Sequence, residues 1–172
     1  MLASRLVDMI EEHAEQLTRG VVRELRTDPR TPSYLQIDPH EDYSRVFAVV
    51  HNLGMWLDSK SDTATENAYR SLGQKRFSEG IPLAEVVCAL MLTKQTLRSF
   101  IQTQGWVDSA LAVHQQVELY ALIDRFFERA TYFTVLGYEA EARAAGKIQA
   151  PANPHKRMWT RGWTSRKSTT AA

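Results

Sequence analysis

The chain has 172 residues, of which 44% are apolar and 24% charged, a composition that is ordinary for one folded domain with a hydrophobic core. No apolar run reaches the roughly 18 residues needed to span a bilayer, and the amphipathic, acid-bearing N-terminus is not typical of a secretory signal. A single cysteine excludes an intramolecular disulfide framework, so we expect a cytoplasmic protein.

Charge is divided unevenly along the chain. Residues 1–142 hold 14 basic and all 20 acidic residues, a net charge of −6, whereas residues 143–172 hold seven basic residues and no acid. Because the two parts differ in sign, we expect the basic part either to bind a partner of its own or to improve solubility.

Five helical segments and no strand are predicted from the apolar periodicity. The first covers residues 2–26, and Pro29 lies just beyond it, where a helix cannot continue. The second covers residues 38–57. Asp38 is expected to cap this second helix, and Glu41 takes the capping-box position.

The third segment ends near Glu79, and the fourth covers residues 82–104. The fourth is apolar on more than one side, which is typical of a central and largely buried helix. Its apolar residues are Val86, Val87, Ala89, Leu90, Met91, Leu92, Leu97, Phe100 and Ile101.

The fifth segment covers about residues 109–145, with Asp108 as its expected cap. At ~1.5 Å per residue it would approach ~55 Å, which exceeds a compact domain of this size. We therefore expect either a kink near Gly137 or an end that projects towards a partner. Together the segments predict an all-α bundle over residues 1–145, followed by a weakly ordered basic tail over residues 146–172.

Residues 71–88, SLGQKRFSEGIPLAEVVC, combine a helix end, a tight break and a helix start. Gly80 can adopt the left-handed conformation that ends a helix, because it has no Cβ. Pro82 suits the first position of the next helix, and Glu85 falls in its first turn, where a carboxylate is favourable. The segment therefore predicts how the third and fourth helices are joined.

The same segment resembles the N-terminal domain of the RsbR and RsbRD proteins, the RsbT co-antagonists of the bacterial stressosome. The residues that carry the resemblance are Gly73, Arg76, Glu79, Gly80, Ile81, Pro82, Leu83, Glu85, Val86 and Val87. The resemblance implies a globin-like, all-helical sensory module that generally lacks haem, pairs as a homodimer and acts on a signalling protein.

Because globins hold haem through an imidazole, His51 and His114 are the candidate haem ligands. His51 lies one turn after Phe47, and His114 lies near the apolar stripe of the fifth segment. The alternative for each is a partly buried histidine that is hydrogen-bonded to the backbone or to a carboxylate. The resemblance favours this alternative, because the family generally lacks the haem ligand.

Other patterns that carry chemistry are missing from the sequence. It contains no zinc-ligand spacing, P-loop, dinucleotide fingerprint or nucleophile elbow, so we expect neither a metal site nor an enzyme. Cys88 is expected to pack as a small apolar side chain. Arg76 and Glu79 could pair with neighbouring side chains at helix ends, and such surface pairs are expected to support the fold rather than form a site.

The tail combines basic and aromatic side chains in Arg157, Trp159, Arg161 and Trp163. Such a combination suits single-stranded nucleic acid, an anionic lipid surface or an acidic protein groove. One interpretation is a docking segment for an anionic partner. The other is a solubilising tail, or one that folds back onto the acidic body.

The sequence thus predicts a non-catalytic sensory domain that works through protein–protein association, with a small-molecule ligand that the sequence does not specify. One alternative is a haem- or tetrapyrrole-binding gas sensor or ligand carrier, which an absorption spectrum distinguishes. A further alternative is an adaptor that binds an anionic partner through the tail, which salt-dependent binding lost on truncation distinguishes.

Overall fold

The computed structural model describes residues 4–57, 62–103 and 109–147. Within these ranges the chain forms seven α-helices and no strand, which confirms the predicted all-α fold. The helices are α1 (Ser4–Glu12), α2 (Ala14–Thr27), α3 (Pro39–His51), α4 (Leu53–Leu57), α5 (Asp62–Ser78), α6 (Leu83–Thr103) and α7 (Ala110–Ala144), with a short 3₁₀ helix at Pro32–Gln36.

Two of the predicted helices are each divided into two. The first breaks at His13, whose ring Nδ1 lies 2.8 Å from the carbonyl oxygen of Met9. The second breaks at Asn52, whose side-chain amide donates to the carbonyl of Ala48 at 2.9 Å. In both places a side chain bonds to the backbone one turn earlier and competes with the regular helical pattern.

The turn after α5 has the geometry that the sequence predicts. Gly80 has a φ of +75°, and its N–H donates to the carbonyl of Phe77 at 3.0 Å. The N–H of Ile81 donates to the carbonyl of Arg76, also at 3.0 Å. This pair of hydrogen bonds is a Schellman motif, in which glycine adopts the left-handed conformation without steric cost.

The start of α6 is anchored to a distant part of the chain. The helix begins at Leu83, one residue later than Pro82, and Glu85 lies in its first turn as predicted. The carboxylate of Glu85 accepts hydrogen bonds from the N–H of Ser33 at 2.8 Å and from its hydroxyl at 2.9 Å. Glu85 therefore fixes the 3₁₀ helix against the start of α6.

Helix α7 continues through Gly137 without a break. The glycine serves packing instead, because a Cβ on Gly137 would lie 2.1 Å from the carbonyl oxygen of Arg70 on α5. A Cβ on Gly73 would likewise lie 2.0 Å from the carbonyl oxygen of Thr134 on α7. The two glycines allow the backbones of α5 and α7 to approach very closely.

Helix α6 packs against both α2 and α7, and of its nine predicted apolar residues seven are buried and Val87 is half-buried. Met91 is the exception, since it lies exposed on the outer face. At the start of α7 the capping residue is Ser109, whose hydroxyl oxygen accepts from the N–H of Ala112, whereas Asp108 lies outside the described residues. None of the helices described combines the length and apolarity needed to cross a membrane.

Candidate functional site

A cavity of about 210 Å³ lies within the bundle, with walls from six of the helices and from the 3₁₀ helix. Most of its lining is apolar or aromatic, and three charged side chains interrupt it. The lining residues are Leu25, Tyr34, Asp42, Arg45, Val46, Ala48, Val49, Trp56, Ala68, Tyr69, Leu72, Arg76, Val86, Ala89, Leu90, Thr93 and Phe127. An apolar concavity with a few convergent polar groups is the usual form of a ligand site.

Arg76 is the most deeply buried charge on this wall, with only 1% of its side chain exposed. Its Nη2 lies 3.0 Å from Oδ1 of Asp42, which is 2% exposed. Its Nη1 lies 2.7 Å from Oε2 of Glu79 and 3.2 Å from Oε1 of Glu41. Arg76 thus pairs with a neighbour near the end of α5, as predicted, but the guanidinium is not at the surface, because α3 covers it with two further acids.

Glu41 does not complete a capping box. Its carboxylate instead lies 2.7 Å from Nζ of Lys75 and 3.2 Å from Nη2 of Arg45. Burial opposes ionisation here, but the hydrogen bonds from Lys75 and Arg45 hold the pKa of Glu41 below its ordinary value. Glu41 therefore links cations from α3 and α5 at the outer side of the cluster.

Three charged residues of the cavity wall keep polar atoms without a hydrogen bond. Oδ2 of Asp42, Nε of Arg45 and Nε of Arg76 are all buried and lack a partner among the described residues. Burial raises the pKa of Asp42, although the nearby Arg76 acts in the opposite direction. An unsatisfied buried polar atom is costly, and all three atoms belong to residues that line the polar end of the cavity.

Aromatic rings border the polar end. The guanidinium carbon of Arg76 lies 5.4 Å from the ring centroid of Tyr34, within the range of a cation–π contact. Burial raises the pKa of Tyr34 to about 12, and Arg76 opposes that rise. Burial also raises the pKa of Tyr69. Both phenols therefore stay protonated at neutral pH.

The two candidate haem ligands lie away from this cavity. His51 is exposed at the end of α3 and stacks on Phe47, with ring centroids 4.9 Å apart. It borders an open groove of about 940 Å³ that His13 also lines. His114 is exposed on α7. The structure therefore does not bring the two imidazoles together, and His13 is the histidine that bonds to backbone.

The other sequence predictions concern Cys88, metal ligands and the tail residues. Cys88 is half-buried and packs against the core. No group of three or more metal-ligating side chains occurs in the described ranges. The tail residues Arg157, Trp159, Arg161 and Trp163 lie outside them.

Sequence reasoning missed the cavity because its polar residues come from different helices. Asp42 and Arg76 are 34 positions apart, and no local spacing joins them. The sequence did contain one indication of the buried arginine. Arg76 lies three residues before Glu79 and one turn after Leu72. That position places Arg76 on the same side of α5 as an apolar core residue, where an unpaired charge is rare.

A protein-family model described as the RsbT co-antagonist protein rsbRD N-terminal domain matches residues 15–150. Neither a curated protein nor a solved structure matches the chain. The family match spans most of the chain and contains the cavity, the buried charge cluster and the two helix-packing glycines. The chain therefore belongs to the family of RsbT co-antagonist rsbRD N-terminal domains and is a regulatory domain of the stressosome type.

Proposed function

We propose that this chain is a non-catalytic, globin-like sensory domain that regulates a signalling partner through protein–protein association. The observation that carries the proposal is the family match over residues 15–150, since the family is named for proteins that act with RsbT. A cytoplasmic location, which the single cysteine favours, is part of the same proposal.

The sensory part of the proposal rests on the cavity. Its polar end joins α3 to α5 through the buried pair of Asp42 and Arg76. Three residues before Arg76, Gly73 holds α5 directly against the backbone of α7. A ligand that changes the position of α5 would therefore act on α7 through a contact that has no side chain to absorb the movement.

The association part rests on the outer face of α7. Val113 and Val117 are one turn apart and both exposed, with Val117 59% exposed, and Leu111 is exposed nearby. The described part of the bundle does not cover these three apolar side chains. We propose that a second copy of the chain covers this face, which gives a symmetric dimer.

A matched pair of charge substitutions tests this surface. Val117→Glu places a carboxylate within the proposed interface, whereas Leu35→Glu places one at an equally exposed apolar residue, 58% exposed, on the 3₁₀ helix. Sedimentation velocity across micromolar concentrations should show a dimer for the wild type and for Leu35→Glu. It should show a monomer for Val117→Glu. A wild-type chain that stays monomeric throughout would refute the dimer.

The basic tail supplies a second proposed contact, with an acidic signalling partner, through Arg157, Trp159, Arg161 and Trp163. Its test is a truncation that begins at residue 148. Lys147 must be kept, because its N–H donates to the carbonyl of Ala142 at 2.9 Å and its Nζ lies 5.1 Å from the ring centroid of Phe77. The truncated chain should capture less partner in a pull-down at low salt. Unchanged capture would show that the tail does not bind the partner.

A further inference from the structure

The size of the cavity restricts what it can hold. A dry protein cavity of roughly 150 Å³ accommodates benzene. The volume of about 210 Å³ here leaves room for one six-membered ring and a head group of a few atoms. A haem or other tetrapyrrole is far larger than this space.

The apolar part of the wall suits an aromatic ring. Trp56, Tyr69 and Phe127 contribute aromatic surface, and Leu72 and Leu90 contribute aliphatic surface. Tyr69 packs edge-on against Phe126, with centroids 5.7 Å apart, so its ring is held in place from behind. Fixed aromatic walls favour stacked and edge-to-face contacts with a flat ligand over contacts with a flexible chain.

The polar end suits a carboxylate. Arg45 lines the cavity with 34% of its side chain exposed, and its Nη2 pairs with Glu41, a carboxylate that Lys75 and Arg76 also contact. Arg76 is already surrounded by Asp42, Glu41 and Glu79. Arg45 is therefore the cation of the wall that a further anionic head group can reach.

We propose that this cavity binds a small aromatic monocarboxylic acid of the size of benzoate, with its ring among the aromatic residues and its carboxylate at Arg45. This assignment rests on the proposed sensory function and names the class of signal molecule. Ligand binding and chain association are measured in separate experiments, so either proposal can fail without the other.

Isothermal titration calorimetry of the full chain tests the assignment with three probes at neutral pH. Benzoate should bind saturably. Benzyl alcohol keeps the ring without the anion and should bind about tenfold more weakly or worse, the loss of one charge-assisted contact. Acetate keeps the anion without the ring and should not saturate.

Two variants locate the site, and a third is the control. Arg45→Gln should weaken benzoate binding about tenfold, and the fold should tolerate it because that side chain is 34% exposed. Ala89→Leu should fill the apolar end and abolish binding without changing any charge. Arg70→Gln removes an arginine of similar exposure that pairs with Glu66 on α5 outside the cavity, and it should leave the affinity unchanged. Circular dichroism should show helical structure in all three.

Three results would overturn the assignment. The first is no saturable benzoate binding to the wild type, which would mean that water fills the cavity. The second is benzyl alcohol binding as tightly as benzoate, which would mean that the polar end does not recognise the anion. The third is benzoate affinity that neither Arg45→Gln nor Ala89→Leu alters. A wild-type dimer in any of these cases would leave the proposed association intact.

Discussion

Arg76 and Asp42 form a buried ion pair that joins α5 to α3, with Nη2 and Oδ1 3.0 Å apart. Neither charge has appreciable contact with solvent, and Asp42 depends on Arg76 for compensation, whereas Arg76 also pairs with Glu41 and Glu79. Removing one partner of such a pair leaves an uncompensated charge in a medium of low dielectric constant. The pair therefore holds the two helices in a defined relation and also forms the polar end of the cavity.

The first prediction concerns the energetic coupling of this pair. Arg76→Met should lower the free energy of unfolding by about 3–5 kcal/mol, because it strands the Asp42 carboxylate. The double variant Arg76→Met/Asp42→Asn should lose less than the sum of the two single variants, since no buried carboxylate is then left at position 42. Urea denaturation of the four proteins gives the coupling energy.

The exposed pair on the same helix serves as the control for that cycle. Arg70 and Glu66 are each 40% exposed, so Arg70→Met should cost under about 1 kcal/mol. If Arg76→Met costs no more than Arg70→Met, or if the effects of the cycle simply add, the buried pair does not have the role assigned here.

The second prediction concerns pH. Burial raises the pKa of Asp42, so in the folded chain this group holds its proton at a pH where the unfolded chain has lost it. The folded state then binds more protons than the unfolded state, and the stability contributed by Asp42 falls as pH rises from 3.8 through the raised pKa.

Asp42→Asn removes that titration. The difference in unfolding free energy, wild type minus variant, should therefore decrease with rising pH across this window and level off above it. Denaturation curves collected between acidic and neutral pH measure the difference directly. A difference that increases with pH would show that the Arg76 charge, not burial, dominates the environment of Asp42.

The third prediction concerns the helix-packing glycines. Gly73→Ala places a Cβ 2.0 Å from a backbone oxygen of α7, which no side-chain movement can relieve. We expect a loss of at least ~2 kcal/mol of stability and a lower midpoint of thermal unfolding. Gly137→Ala should behave alike, because its Cβ would meet the backbone of Arg70.

Gly20 supplies the matched control. It also lies inside a helix, but a Cβ there would only touch Cγ2 of Thr96 at 3.9 Å. Gly20→Ala should therefore raise stability by up to about 1 kcal/mol, the helix-propensity gain of alanine. Equal effects at Gly20 and Gly73 would contradict the proposed close contact between α5 and α7.

Features set by neighbouring residues were predictable from the sequence. The left-handed turn at Gly80 and the cap at Asp38 depend only on nearby backbone, and both are present. The break at His13 depends on a side-chain bond one turn away, which the apolar periodicity does not encode.

Features that depend on tertiary contacts were not predictable in the same way. The anchoring of Glu85 to Ser33 joins positions 52 residues apart, and local spacing carries no record of it. The burial of Arg76 follows from acids that α3 brings over it. The exposure of Val117 likewise depends on which surfaces the other helices cover.

The fourth prediction concerns haem. Because His51 and His114 are exposed and the cavity is small, added haem should not yield a Soret band that His51→Ala or His114→Ala removes. Absorption spectra of the wild type and both variants after addition of haemin provide the measurement. A stoichiometric band that one substitution abolishes would instead favour the gas-sensor alternative.

We expect a signal molecule that binds in the cavity to alter how tightly the domain associates. The most direct measurement is the dimer dissociation constant from sedimentation velocity, with and without saturating benzoate, for the wild type and for Ala89→Leu. We expect benzoate to change the dimer dissociation constant of the wild type by about threefold or more. It should leave the constant of Ala89→Leu unchanged, because the coupling requires an occupied cavity. A wild-type constant that benzoate leaves unchanged, although calorimetry shows the cavity occupied, would contradict it.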